Sequence, residues 1–140
     1  MAADAPTLQV LLVGAADAGM RQGLDRLGQR RQVDVREVAL VDVEAATEGW
    51  TPDILLADLH ADGTAGLDAL RQWRLRMPDA DAVVVRHPDS TLRSGDWLKA
   101  GAFAVVACPV EADEVAEELE RAAERVRLRL ENRQLRRQLD

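Results

Sequence analysis

The chain has 140 residues, of which 47% are hydrophobic and 31% charged, the composition of one globular domain with its own core. Its net charge of −7 disfavours nonspecific binding to nucleic acid, and its single cysteine excludes an internal disulfide. No run approaches the roughly 20 apolar residues that span a bilayer, and no secretion signal opens the chain. We therefore expect a cytoplasmic protein without a membrane partner, a metal or a cofactor.

Strand-like and helix-like segments alternate along the chain in the manner of βαβ units. Apolar runs predict strands at residues 8–13, 33–38, 54–57, 82–85 and 103–107. Helical spacing of apolar residues predicts helices at residues 18–28, 41–48, 66–77, 90–100 and from about 111 to the end. The predicted fold class is α/β, a flavodoxin-like doubly wound sheet of five parallel strands in the order 2-1-3-4-5, with an extended C-terminal helix.

The third predicted strand ends on Asp58, and a turn containing Gly63 and an amphipathic helix follow it. Open α/β sheets hold their functional sites at this carboxyl end of the strands. The segment resembles the phosphoacceptor segment of bacterial response-regulator receiver domains, the CheY-like superfamily, in which Asp58 would take a phosphoryl group. The resemblance covers residues 8–123. Four other motifs fall at the family's spacing: Pro52-Asp53, Gly66-Leu67, Ala100-Gly101-Ala102 and Pro109.

A magnesium site is the first part of receiver chemistry that the sequence lacks. Phosphoryl transfer to a carboxylate needs Mg²⁺, which prefers oxygen ligands in octahedral geometry. In the family, a pair of acids after the first strand supplies such ligands, whereas this chain has Ala15 and Ala16 at the corresponding place. Asp17 is close in sequence, but we expect it to lie just before the first helix rather than to replace the missing acids.

Three further receiver positions depart from the family. Receivers have a hydroxyl residue after the fourth strand, where this chain has Arg86, and a lysine after the fifth strand, where it has Cys108. The aromatic switch residue of the family aligns with Val105. A carboxylate at the mouth of an apolar sheet needs a partner. We expect Arg86 to pair with Asp58 in place of the lost lysine and metal. The alternative is that Arg86 points to solvent and Asp58 caps the turn.

Cys108 and His60 are two further side chains predicted near the site. An exposed thiolate beside an arginine would be activated for redox chemistry, whereas a free cysteine usually packs as a small hydrophobe, and we expect the second role for Cys108. The resemblance to receivers implies a cis peptide bond between Cys108 and Pro109. We expect His60 to be a surface histidine at the rim of the site, with pH sensing as the alternative.

The last predicted helix is longer than a small sheet needs, since residues 111–139 would span about 43 Å. Its end resembles the linker helix that follows the receiver in nitrogen-regulation-type (NtrC-type) enhancer-binding activators. We therefore divide the chain into a receiver-like domain, residues 1–123, and a helical extension, residues 124–140. Its end also fits a parallel two-stranded coiled coil, and so a dimer, because four residues take the heptad positions d, a, d and a in turn: Leu128, Asn132, Leu135 and Leu139. The alternative is a single solvated helix that does not dimerise.

Charge is distributed unevenly between the two predicted parts. Residues 121–140 carry seven arginines and three acids, a charge of +4, so the preceding 120 residues carry −11. Charge on a long helix usually marks a solvated face, which is what we expect here. Contact between this basic segment and DNA is the alternative, and such binding would weaken steeply with salt.

The combined features predict a non-enzymatic signalling module, an atypical response-regulator receiver that acts through protein contacts and dimerisation and is independent of phosphorylation. Its partners would be a second copy of the chain and a histidine kinase or an output domain. One alternative is a conventional receiver that a histidine kinase phosphorylates on Asp58. The other is a small-molecule-binding protein with a flavodoxin-like fold.

Overall fold

A computed structural model of the chain describes residues 7–14, 17–59 and 64–139. The strands are β1 (Leu8–Val13), β2 (Val33–Val38), β3 (Ile54–Asp58), β4 (Asp81–Arg86) and β5 (Ala104–Ala107). The helices are α1 (Ala18–Arg30), α2 (Val43–Ala46), α3 (Thr64–Arg76), α4 (Ser94–Lys99) and α5 (Ala112–Leu139). Among the described residues, no helix is both long and apolar enough to cross a membrane.

The five strands form one parallel sheet in the order β2-β1-β3-β4-β5, so the predicted fold class and strand order are confirmed. Each crossover carries the chain back to the same end of the sheet, as parallel pairing requires. The carboxyl ends of the strands therefore meet at one edge, which we call the carboxyl edge. The amino ends meet at the opposite, amino edge. Asp58 lies at the carboxyl edge, and Asp81 begins β4 at the amino edge.

Two apolar layers cover the two faces of the sheet. Side chains on successive strand residues point to opposite faces, so Ile54 and Leu56 belong to the layer beneath α1 and α5, while Leu55 and Ala57 belong to the layer beneath α3 and α4. All four of these side chains are buried. Each buried leucine or isoleucine contributes about 1.5 to 3 kcal/mol of transfer free energy, which makes the two layers the main source of stability.

Close packing between α1 and α5 depends on Gly23. A Cβ atom at this position would lie 2.6 Å from Cγ1 of Val115, which is inside van der Waals contact. The glycine therefore allows α5 to approach α1 closely, and Val115, Leu119 and Ala122 of α5 are fully buried. The first half of α5 is thus fixed against the sheet, and its direction sets the course of the remaining residues of the helix.

Two helices are shorter than the sequence predicts. The segment predicted at 41–48 forms a 3₁₀ turn at Leu40–Asp42 and only four α-helical residues, Val43–Ala46. The helix predicted from Ser90 begins at Ser94. Ser90 Oγ instead accepts a hydrogen bond from the Leu92 amide, and the Asp96 carboxylate accepts one from the Arg93 amide, so local capping moves the start of α4 by one turn.

Candidate functional site

The carboxylate of Asp58 faces a histidine at the carboxyl edge. Asp58 ends β3, and His87 directly follows β4, which is the neighbouring strand. The Nε2 atom of His87 lies 3.0 Å from both Oδ1 and Oδ2 of Asp58. The side chains are only 22% and 16% exposed, for His87 and Asp58 respectively. One imidazole N–H therefore approaches both carboxylate oxygens in a sheltered position.

The expected pairing of Arg86 with Asp58 is wrong, because His87 occupies that position. Among the described residues, no ion pair or hydrogen bond joins Arg86 to Asp58, although Arg86 Nε is buried and has no described hydrogen-bond partner. Strand alternation explains the error. Ala82 and Val84 pack beneath α3 and α4, so Arg86 continues their face of the sheet, whereas Asp58 follows Ile54 and Leu56 on the opposite face.

Gly14, which directly follows β1, lies close to the backbone of Asp58. It has a φ of +90°, which is favourable only for glycine, and a Cβ atom there would collide with the backbone oxygen of Asp58. A glycine is therefore needed directly after β1, because the backbone there has a positive φ and passes too close to β3 for a side chain. Ala15 and Ala16, the residues predicted to replace the acid pair, lie outside the described residues, as does His60.

The side chain of Asp17 caps the N-terminus of α1. Its Oδ1 atom accepts a hydrogen bond from the Met20 amide at 2.9 Å, which satisfies one of the free amides in the first helical turn. This placement before the first helix is the predicted one. Within the described ranges, no group of three or more histidine, cysteine, aspartate or glutamate side chains is arranged to hold a metal ion.

Cys108, which the resemblance aligns with the receiver lysine, directly follows β5. The thiol is partly buried against the layer beneath α1 and α5, and the peptide bond to Pro109 is cis, as the resemblance implied. Burial raises the pKa of the Cys108 thiol, and the negative charges of Asp17, Asp58 and Asp89 raise it further. The thiol therefore stays protonated at neutral pH and is a weak nucleophile. This favours the packing role over the redox role.

Comparison with protein-family models found no match. A nitrate/nitrite response regulator homologue from Haemophilus influenzae is 28% identical over 123 residues. The match covers 84% of this chain and 57% of the relative, so the chain spans a little over half of that relative's length.

Solved structures share the arrangement of strands and helices. NtrX from Brucella abortus matches 94% of this chain and 29% of its own, with a TM-score of 0.73 and 20% identity. A provisionally assigned pilus assembly protein from Burkholderia thailandensis matches 84% of this chain and 99% of its own, with a TM-score of 0.66 and 25% identity. The chain has the receiver fold of response regulators. Within this fold, the Asp58–His87 pair lies at the carboxyl edge of the sheet.

A second charged cluster lies at the amino edge of the receiver fold. Asp81 begins β4 and is only 1% exposed, yet its Oδ1 atom lies 3.0 Å from Nη2 of Arg129 and 3.7 Å from Nη1 of Arg125. Arg129 also donates to the backbone oxygen of Asp79, and Arg133 contacts the Asp79 carboxylate. We call this set of two aspartates and three arginines the arginine clamp. It fixes the second half of α5 to the start of β4.

Asp53 lies beside the arginine clamp at the start of β3. Its Oδ2 atom accepts a hydrogen bond from the Gln9 amide at 2.8 Å. Burial raises the pKa of Asp53, while the Gln9 hydrogen bond and the charge of Arg129 partly offset that increase. The ion pairs at this edge were not among the predicted features, although the i, i+4, i+8 spacing of the three clamp arginines indicates that they share one side of α5.

The predicted dimer helix is present, with its leucines exposed. Leu128, Leu135 and Leu139 are 50%, 59% and 86% exposed, and Asn132 is exposed as well. The division at residue 123 stays a prediction, since α5 runs without interruption from Ala112 to Leu139.

Proposed function

We propose that this chain is an atypical receiver that acts through protein contacts and dimerisation and does not depend on phosphorylation of Asp58. The observation that supports this most strongly is the position of His87, whose Nε2 atom lies 3.0 Å from both oxygens of Asp58. The imidazole stands on the carboxylate face that a metal ion and a phosphoryl group need to reach. An attack by Asp58 on a phosphodonor requires His87 to move away first.

The charges around Asp58 also disfavour phosphoryl transfer. That reaction places new negative charge beside the carboxylate, and receivers neutralise it with Mg²⁺ and a lysine. In this chain the lysine position is Cys108, whose thiol is held protonated by burial and by nearby aspartates. Asp17 caps α1 through Oδ1, and within the described ranges no group of three or more histidine, cysteine, aspartate or glutamate side chains is arranged to hold a metal ion. The phosphoryl group would therefore enter an acidic site with little compensating charge.

The proposed output is contact with a second copy through α5. Three leucines of its second half are at least half exposed, while the arginine clamp holds the same segment in a fixed direction. A helix that is already ordered loses less entropy on association than a disordered segment would. A histidine kinase or an output domain, the partners expected of receivers, would contact the remaining surface as part of this proposal.

Intact-protein mass spectrometry after incubation with acetyl phosphate and Mg²⁺ tests the phosphorylation part of the proposal. We expect no adduct, while a receiver that carries the acid pair and the lysine gains about 80 Da under the same conditions. The matched control is Asp58→Asn. An 80 Da adduct on the chain that is absent from Asp58→Asn would overturn the proposal.

The second candidate is a conventional receiver that a histidine kinase phosphorylates on Asp58. It is favoured by one observation, the position of Asp58 at the carboxyl end of β3, where phosphoacceptors of this fold lie. Incubation with an autophosphorylated kinase distinguishes the two candidates, because a kinase supplies binding energy that a small phosphodonor lacks. Transfer of label to the chain but not to Asp58→Asn would support this candidate.

A further inference from the structure

We infer that two copies of α5 associate in parallel and in register, with Glu131 of one chain paired to Arg136 of the partner subunit. This inference rests on the proposed dimerisation and on the heptad pattern of the sequence, and it adds the interchain ion pair that selects the parallel orientation. The partner is therefore a second copy of this chain, placed so that both C-termini lie at the same end of the dimer.

The leucine stripe faces away from the domain. Consecutive helical residues are rotated by about 100°, so Leu128, nine residues after Leu119, lies on the opposite side of α5. Leu119 is fully buried against the sheet, whereas Leu128 is half exposed. Leu135 follows Leu128 by two turns and is 59% exposed. A second helix can therefore reach the leucines without displacing α5 from its own domain.

The charged residues that flank the leucines select the orientation. With Leu128 and Leu135 at d positions and Asn132 at a, the flanking g positions hold Glu124 and Glu131 and the flanking e positions hold Arg129 and Arg136. In a parallel dimer, each g residue meets the next e residue of the partner helix, so glutamate meets arginine. In an antiparallel dimer, g meets g and e meets e, so like charges oppose each other.

The parallel dimer offers two interchain pairs, Glu124 with Arg129 of the partner subunit and Glu131 with Arg136 of the partner subunit. The arginine clamp makes the first pair weaker than the second. Arg129 is already bound to Asp81 and to the backbone oxygen of Asp79. Arg136 is exposed and has no ion pair among the described residues. Glu131 contacts Arg127 of its own chain through one carboxylate oxygen, and a carboxylate accepts from two arginines. The outer pair, Glu131 with Arg136 of the partner subunit, therefore provides the main interchain attraction.

Asn132 fixes the register. A polar residue at an a position is stable in a parallel two-stranded coiled coil when it meets the same residue of the partner, because the two amides then hydrogen-bond to each other. A shift by one heptad would place Asn132 of one chain against Leu139 and Asn132 of the other chain against Arg125, so neither amide would meet its counterpart. The short seam, about 24 Å from residue 124 to residue 139, leaves no room for an alternative register.

Disulfide crosslinking tests the orientation in the full chain. Leu139→Cys is introduced together with Cys108→Ser, and the protein is oxidised at a concentration at which sedimentation shows dimers. In the parallel arrangement, residues 139 of the two chains face each other within reach of a disulfide, and we expect nearly complete crosslinking. In the antiparallel arrangement, they lie about 20 Å apart. The matched control is Arg137→Cys in the same background, whose side chain lies outside the seam and should crosslink slowly.

Charge reversal provides the second test. Glu131→Arg and Arg136→Glu each place like charges across the parallel seam, and we expect about tenfold weaker dimerisation for each. An equimolar mixture of the two variants restores opposite charges in the mixed dimer, so dimerisation should recover. A dimer that resists crosslinking at residue 139 overturns the parallel orientation alone. A chain that stays monomeric at all concentrations overturns the proposed dimerisation itself.

Discussion

The two edges of the sheet use aspartate in different ways. At the carboxyl edge, Asp58 contacts His87, and both side chains retain some exposure. At the amino edge, Asp81 is almost completely buried and contacts Arg125 and Arg129, which α5 supplies. The carboxyl edge therefore holds a partly exposed aspartate–histidine pair. The amino edge carries a network of ion pairs that fixes the second half of α5 to the start of β4.

This difference indicates where the sequence is constrained. A buried carboxylate that loses its cationic partner retains the cost of its desolvation, so the clamp at Asp81 tolerates change poorly. The Asp58–His87 pair is nearer to solvent and less costly to break. We therefore expect substitutions at the amino edge to affect stability and the course of α5, whereas substitutions at the carboxyl edge should affect neither strongly.

The largest expected effect comes from Arg129→Ala. It leaves the buried carboxylate of Asp81 with only Arg125, at 3.7 Å, and should lower the free energy of unfolding by about 2 to 4 kcal/mol. Urea denaturation followed by circular dichroism measures the change. The matched control is Arg127→Ala, an exposed arginine on the same helix, with an expected change below about 0.5 kcal/mol. Equal effects of the two variants would contradict a special role for the clamp.

The next effect is that of Gly14→Ala at the carboxyl edge. The positive φ and the collision with the Asp58 backbone should cost about 1 to 3 kcal/mol of unfolding free energy. Gly28→Ala is the control, since nothing lies within 4 Å of its added Cβ in α1, and it should stabilise the protein by about 0.5 to 1 kcal/mol. A neutral result for Gly14→Ala would show that β1 does not need this conformation.

A smaller effect is expected for His87→Ala. The Asp58–His87 pair is partly exposed, so its removal should change the free energy of unfolding by less than about 1 kcal/mol. The measurement is the same urea denaturation as for Arg129→Ala. A loss as large as that of Arg129→Ala would remove the contrast between the two edges.

The smallest effect concerns the pH dependence contributed by Asp53. Burial raises the pKa of Asp53, so the folded state holds this proton more tightly than the unfolded state does. Its contribution to stability is therefore present at low pH and is lost as pH rises through the raised pKa. Asp53→Asn should make stability fall less with rising pH, in denaturation series between about pH 4 and 7. Exposed Asp25→Asn is the control, and an identical pH profile for Asp53→Asn and the parent chain would contradict this contribution.

Strands β1, β3 and β4 were predictable because most of their residues are buried on both faces and form continuous apolar runs, as in Leu8–Val13 and Ile54–Asp58. Strand β2 is more exposed and was predictable from its alternating apolar and polar residues instead. The short helices were not, because local capping decides where they begin. The segment after Ser90 has helical spacing, but Ser90 and Asp96 bind nearby amides and delay α4. Competition between capping and helix formation depends on hydrogen-bond geometry that spacing alone does not contain.

The site was predicted in part. Asp58 lies at the end of its strand as expected, but Arg86 was expected as its partner and His87 was not considered. The face of the sheet that each residue continues decides the partner, and a shift of one residue reverses that face. Predicting the arginine clamp would have required knowing that α5 crosses the start of β4. The spacing of Arg125, Arg129 and Arg133 indicates a shared side of the helix, yet it does not identify Asp79 and Asp81 as partners.

Sedimentation velocity of the full chain tests most directly whether dimerisation is independent of phosphorylation. The chain is measured alone, with acetyl phosphate and Mg²⁺, and as Asp58→Asn under both conditions. We predict the same distribution of monomer and dimer in all four samples, because the α5 seam forms without any change at Asp58. A shift of the distribution on addition of the phosphodonor, absent from Asp58→Asn, would contradict that independence and restore Asp58 as a working phosphoacceptor.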